Sequence, residues 1–180
     1  HKIVTYPRTD SRCITPDIVP TLDERIRALS GTIFSRQAEE YLLNGYRKDN
    51  PRFVNEKEVS DHHAIIPTEE KVNVEKLTKN EEALWRLIAM RFLEVIGQDY
   101  KYKTTTAIID VEGKNFKTRL TLPVSKGYRS VAESAGIKSA SAVVDDLDNS
   151  FALMRMKEGD EVTVQSVKVR KNATTPPERY

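Results

Sequence analysis

The sequence predicts an α+β protein, a helical unit over residues 1–100 followed by a small antiparallel β unit over 101–173. Apolar residues recur at helical spacing as far as Gly97, and after Tyr100 the period changes to alternation. Charge divides near the same place. Residues 101–132 carry seven Lys/Arg against two Asp/Glu (+5), whereas 133–160 carry three against six (−3). A basic strand region beside an acidic connection is either a face turned to something anionic or a solvated sheet surface, and charge alone does not choose.

Taken in order, Ile3-Val4-Thr5-Tyr6 is a short β-type run halted by Pro7. Thr21 with Glu24 forms a capping-box pattern for a helix over about 21–30, stopped by Gly31. A second helix starts near Ser35, carries Ala38, Tyr41 and Leu42 at helical spacing, and ends around Gly45. The clearest helix begins at Thr78, again with a Glu three residues on (Glu81). Its apolar stripe reads Leu84, Leu87, Ile88, Phe92, Val95 and Ile96, with Trp85 at the edge and Gly97 as the stop. Beyond Tyr100, the run Thr104–Val111 turns at Gly113 into a strand with Phe116, Thr118, Leu120 and Leu122 on one face. Lys117, Arg119 and Thr121 take the other face. Residues 133–150 read as an irregular connection, and Gly159-Asp160 opens a last strand over Val162–Val169.

Several classes are excluded. With 180 residues, 38% hydrophobic and 31% charged, the chain can bury a core and is not of disordered composition. Cys13 is the only cysteine, so no internal disulfide forms and a reducing compartment is expected. No apolar run approaches the roughly 18 residues of a membrane span, and no secretory signal pattern is present. The start at His1 and the unclosed ending Thr174–Tyr180 read as an excised piece of a longer chain.

Two segments could carry chemistry. In Tyr6-Pro7-Arg8-Thr9-Asp10-Ser11, proline drives the preceding tyrosine into extended backbone, where residues two apart share a face. Tyr6 and Arg8 can therefore converge on one target. A phenol titrates near ~10 and needs activation to act as a nucleophile. A guanidinium supplies positive potential and a fork that fits phosphate oxygens. The pair has what attack on a phosphodiester requires. Thr9, Asp10 and Ser11 either hold the loop through bonds to backbone or offer groups to a neighbouring phosphate. An ordinary polar turn at a strand end has the same composition, and the segment alone does not decide.

The second segment, Ser60-Asp61-His62-His63-Ala64-Ile65-Ile66-Pro67-Thr68, holds two of the three histidines. Adjacent histidines seldom share a metal, and no Cys or acidic cluster at ligand spacing lies nearby, which argues against zinc. Histidine can bind phosphate when charged, or pass a proton. Asp61 can orient an imidazole or raise its pKa. A histidine pair with no such role fits the segment equally well.

Together, in this order, the two segments resemble the paired signature of type IA DNA topoisomerases, whose active-site loop reads tyrosine, any residue, arginine, then a Thr/Ser-Asp tail. Pro7 and the form His-His-Ala-Ile-Ile-Pro-Thr resemble the topoisomerase III branch, and Thr175–Tyr180 is similar to the family's junction into its next domain. Cys13 departs from the aromatic residue that often follows the loop. The resemblance implies a helical, winged-helix-like domain carrying the tyrosine, part of a β arch after it, and residues 174–180 leading to a further domain. It implies Tyr6 as nucleophile, Arg8 as phosphate and transition-state stabiliser, and His62 as phosphate contact or proton carrier. Thr9, Asp10, Ser11 and His63 become DNA contacts.

The implied activity is ATP-independent cleavage and rejoining of one DNA strand through a 5′-phosphotyrosine bond, on a single-stranded segment, by a monomer. The implied location is the bacterial cytoplasm, at the nucleoid or from a plasmid. No cofactor is expected within these residues. Mg²⁺ belongs to an acidic cluster in a domain outside them, so the segment is expected to be inactive alone, and Asp145-Asp146-Leu147-Asp148 reads as a solvated linker rather than a replacement. The alternatives are a tyrosine recombinase-like strand transferase and a non-catalytic winged-helix DNA-binding module.

Overall fold

The computed structural model describes residues 2–137 and, beyond them, 153, 155–164, 166–169, 171 and 173. The junction over 174–180 and the acidic run 145–148 lie outside the described residues. The protein is α+β, with helices and one two-stranded antiparallel sheet. The chain divides into two compact units, His1–Thr104 with Thr121–Asp145, and Thr105–Leu120 with Asp146–Tyr180.

In the first unit a 3-10 stretch, Pro16–Thr21, runs directly into α1 (Leu22–Arg27). The capping box expected at Thr21 does not form, and the helix is shorter than the span 21–30. Thr21 already has helical backbone, so its side chain cannot reach over the first turn as a cap must. Its hydroxyl instead donates to the Ile18 carbonyl and accepts from Arg25 Nε, each at 2.8 Å. The chain turns at Gly31, whose φ of +81° lies in the left-handed region. Helix α2 (Ser35–Asn44) follows the expected bounds, with Gly45 at φ +86° as its stop.

Helix α3 (Lys79–Ile96) has the full capping box, Thr78 accepting from the Glu81 amide and Glu81 accepting from the Thr78 amide. Its buried stripe is Trp85, Ala89, Phe92, Leu93 and Ile96. This corrects the expected face. Trp85 is central at 3% exposure, while Leu84 and Leu87 are 60% and 50% exposed. Each helical step turns about 100°, so once the large indole takes the inner line the two leucines fall well off it. Around α3 pack Ile14, Leu22, Ile26, Leu29, Phe34, Phe53, Ile66 and Val131, all fully or nearly fully buried.

Gly97 ends α3 in extended backbone, and a side chain there would meet the Tyr41 hydroxyl and the Tyr128 backbone. The requirement is one of space, not of a left-handed turn. Residues 133–134 are not irregular. They complete α4 (Ser130–Ser134), whose serines 130 and 134 both donate to the buried Gln37 amide oxygen.

The period change after Tyr100 is a hairpin of β1 (Lys101–Val111) and β2 (Lys114–Ser125). Glu112 and Gly113 both have positive φ, the two-residue turn that suits strand twist. In β1, residues 105, 107, 109 and 111 are half-buried and alternate with exposed ones. In β2 only Leu120 is buried, and Phe116 stays 58% exposed, so the expected apolar face is not covered near the turn. The last strand, expected over Val162–Val169, is not formed among the described residues 161–164 and 166–169. Alternating valines favour extended backbone, but a strand needs a hydrogen-bonded partner, and none pairs there among the described residues.

Candidate active site

The two segments singled out in the sequence pair with each other. Val4 and Pro67 form an isolated antiparallel bridge, with the Thr5 amide donating to the Ile66 carbonyl at 2.9 Å and the Thr68 amide to the Ile3 carbonyl at 3.2 Å. The Thr5 hydroxyl donates to the Ala64 carbonyl and accepts from the Ile66 amide. Further along, the Ala64 amide donates to the Cys13 carbonyl at 2.8 Å. The tyrosine loop is thus tied to the histidine segment before and after the reactive residues.

Beneath them, Ile14 and Ile66 are buried in the core, and Ile14 bridges in parallel to Val54. Cys13 is buried, with its thiol 3.8 Å from the Arg52 carbonyl.

Tyr6 emerges from this anchored run with its side chain 55% exposed. Its ring lies against that of His62, with centroids 4.4 Å apart and planes tilted by 45°. Tyr6, Arg8, Thr9, Asp10, Ser60, Asp61 and His62 line one cleft of about 310 Å³. A phenol, a guanidinium and an imidazole therefore face the same small volume. Asp10 and Asp61 also line it, so the cleft is not simply cationic. Its directional cationic group is the Arg8 fork, whose geometry matches paired oxygens.

Other predicted site residues have different positions. The Thr9 hydroxyl donates to the His62 carbonyl at 2.8 Å and accepts from the Ser11 amide. Ser11 donates to the Glu58 carbonyl at 2.7 Å and accepts from the Cys13 amide. These hydroxyls hold the loop. His63 is half-buried outside the cleft, its Nδ1 2.8 Å from the Ala64 carbonyl.

The sequence reading missed Arg25. It is buried, donates from Nη1 to the Pro67 carbonyl at 2.7 Å, and pairs with Glu69 at 2.7 Å. Burial pushes its pKa below the usual arginine value, while Glu69 acts in the opposite direction. Its guanidinium fixes the far end of the histidine segment. A signal was present, since Arg25 interrupts the apolar series Leu22, Ile26, Leu29 at helical spacing.

Among the described residues no group of three or more His, Cys, Asp or Glu comes together as a metal site. No helix among them is long and apolar enough to cross a membrane.

A tyrosine exposed beside an arginine and a histidine, on a backbone that pairs two separate motifs, defines a class of protein, and comparison gives that class its name. The sequence profile of DNA topoisomerases matches residues 1–180, and the chain belongs to that family. It is similar to DNA topoisomerase 3 of Bacillus licheniformis (37% identical) and of Bacillus subtilis (36%), each over 180 residues. A Staphylococcus aureus DNA topoisomerase 3 is 35% identical over the same length. In all three cases the match takes in the whole chain and 24% of the relative, so the chain spans about a quarter of their length.

Proposed function

We propose that this chain is the strand-cleaving part of a type IA DNA topoisomerase of the topoisomerase III branch, with Tyr6 as nucleophile. The supporting observation is the Tyr6–His62 ring contact in a cleft that Arg8 also lines. The Tyr6 oxygen attacks a backbone phosphorus of single-stranded DNA. An O–P bond forms to the phosphate that stays on the new 5′ end, and the 3′ oxygen of the other end leaves and takes up a proton as a 3′-hydroxyl. In this reading His62 accepts the phenolic proton, and Arg8 meets the charge that develops on the phosphate. Reversal by the 3′-hydroxyl reseals the strand. The phosphodiester energy is kept in the phosphotyrosine, so no nucleotide is consumed.

Thr9 and Ser11 serve this reading as loop holders, with Asp10 and His63 as nearby DNA contacts. The winged-helix character of the helical domain over 1–100, the arch identity of 101–173, the monomeric state and a cytoplasmic location belong to the same proposal. Mg²⁺ is assigned to acidic residues elsewhere in the longer protein, and no step here runs through it. The segment alone is then inactive.

Tyr6→Phe in the longer protein tests the assignment. Covalent protein–DNA adducts trapped by denaturant should vanish, a loss of roughly a thousandfold or more, as for removal of a nucleophile. The melting temperature should stay unchanged, because the hydroxyl is exposed. Adducts that persist in the Phe variant would remove Tyr6 from the role and favour a plain DNA-binding module. Adducts joined through a 3′-phosphate, with a free 5′-hydroxyl, would favour a recombinase-like transferase.

A further inference from the structure

The Tyr6–His62 cleft has a feature that the chemistry above leaves unused. Two carboxylates, Asp10 and Asp61, line it beside its one guanidinium, Arg8. All three residues are exposed, and among the described residues Arg8 forms no ion pair with either carboxylate. Neither Asp10 nor Asp61 accepts a hydrogen bond among those residues, so the loop is held by Thr9 and Ser11 without them. One positive charge against two negative leaves the cleft net negative while His62 is neutral. Attraction of phosphate alone gives no reason for that balance.

The repulsion between a carboxylate and a phosphate grows in proportion to the phosphate's charge. A phosphodiester inside a strand carries a single negative charge. A terminal phosphate carries nearly two at neutral pH, because its second proton leaves near ~6. The Arg8 fork meets paired oxygens in both, so the fork does not tell them apart. The carboxylates do.

We infer that Asp10 and Asp61 are specificity-determining residues of this cleft, which admit the singly charged diester of a continuous strand and disfavour the doubly charged phosphate of a strand end. The inference rests on the proposed function for the presence of a backbone phosphate beside Tyr6. Asp10 then acts through its charge rather than through a bond to DNA. A terminal phosphate joins nothing on its far side, so in the cleft it would only block Tyr6.

Two small probes differ in that charge and in one methyl group: dimethyl phosphate, a monoanion, and methyl phosphate, a dianion at about pH 8. Their binding to the 180-residue chain is followed by the His62 ring signals in NMR. A water-exposed, salt-screened carboxylate should weaken a monoanion roughly twofold. Its energy doubles with the ligand's charge, so the factor is squared to roughly four on the dianion. Asp61→Asn should therefore tighten dimethyl phosphate roughly twofold and methyl phosphate roughly fourfold, and Asp10→Asn likewise. The double variant should reach roughly fourfold and roughly sixteenfold. Asp17→Asn, the same charge change at an exposed residue outside the cleft, should move neither. Circular dichroism melts confirm that the variants fold.

Equal gains for the two probes, no gain, or a loss in the cleft variants overturns the inference. So does an equal response to Asp17→Asn, which would reduce the effect to overall charge, and so does failure of both probes to bind. None of these outcomes depends on Tyr6 chemistry. Conversely, adduct formation by Tyr6→Phe would sink the nucleophile and leave the charge discrimination standing.

Discussion

The Tyr6–His62 cleft and the β1–β2 hairpin are built on opposite principles. The hairpin has long, regular, hydrogen-bonded strands and almost no buried side chains toward its turn. The cleft has no regular strand at all, only two single-residue bridges and a set of hydroxyl-to-backbone bonds, yet Ile14 and Ile66 beneath it are fully buried. Regularity and positional precision are therefore separate properties. A reactive side chain is held by how its backbone is tied to a packed interior, and secondary structure is only one way to tie it.

The comparison can be broken first at the interior. Phe92→Ala should cost about 3–5 kcal/mol in chemical denaturation, because the cavity cannot refill. Phe116→Ala, on the exposed hairpin face, should stay within about 0.5 kcal/mol. Similar losses from the two would show that the hairpin has a core of its own.

Arg25→Met comes next. It removes the donor to the Pro67 carbonyl and strands Glu69, for a loss of about 2–3 kcal/mol. The His62 ring signals in NMR should shift as the segment loosens, and unshifted signals would show that Arg25 has no positioning role. Smaller effects separate the two regions most sharply. Thr9→Val and Gly113→Ala should each cost about 1 kcal/mol, one by losing the bond to the His62 carbonyl and the other by strain at φ +78°. Only the first should slow DNA cleavage by the longer protein, by about tenfold, whereas equal slowing by both would end the distinction.

The smallest effect is one of pH. The Asp23 carboxylate is held below its ordinary pKa by the Tyr46 hydroxyl first and Lys48 second. Its stabilisation is present above the unfolded carboxylate value near ~4 and is lost as pH falls through the lower folded value. The gap in melting temperature between wild type and Asp23→Asn should therefore shrink on acidification below that point. A gap constant with pH would mean the carboxylate charge contributes nothing.

Much of this was legible in the sequence because it is local. The capping box at Thr78, the stops at Gly45 and Gly97 and the turn at Gly113 are written within a few residues of where they act. So was the meeting of Tyr6 with His62, though only through the order of two motifs; spacing along the chain says nothing of a contact across 56 positions. What failed was tertiary. Thr21 has the letters of a cap, but a preceding 3-10 turn spoiled its backbone. Leu84 and Leu87 looked like core until the indole of Trp85 took the inner line. Val162–Val169 alternates like a strand, but pairing is a property of two segments and the pattern names only one.

Arg25 has a consequence for how the Tyr6 cleft comes together. Its charge sits among apolar neighbours and is compensated only when the Pro67 carbonyl and Glu69 are in place. Half-folded chains would strand that guanidinium, so the helix and the histidine segment order together or not at all. A loosened chain then loses the Tyr6–His62 contact as well, and the cleft is assembled whole or not at all.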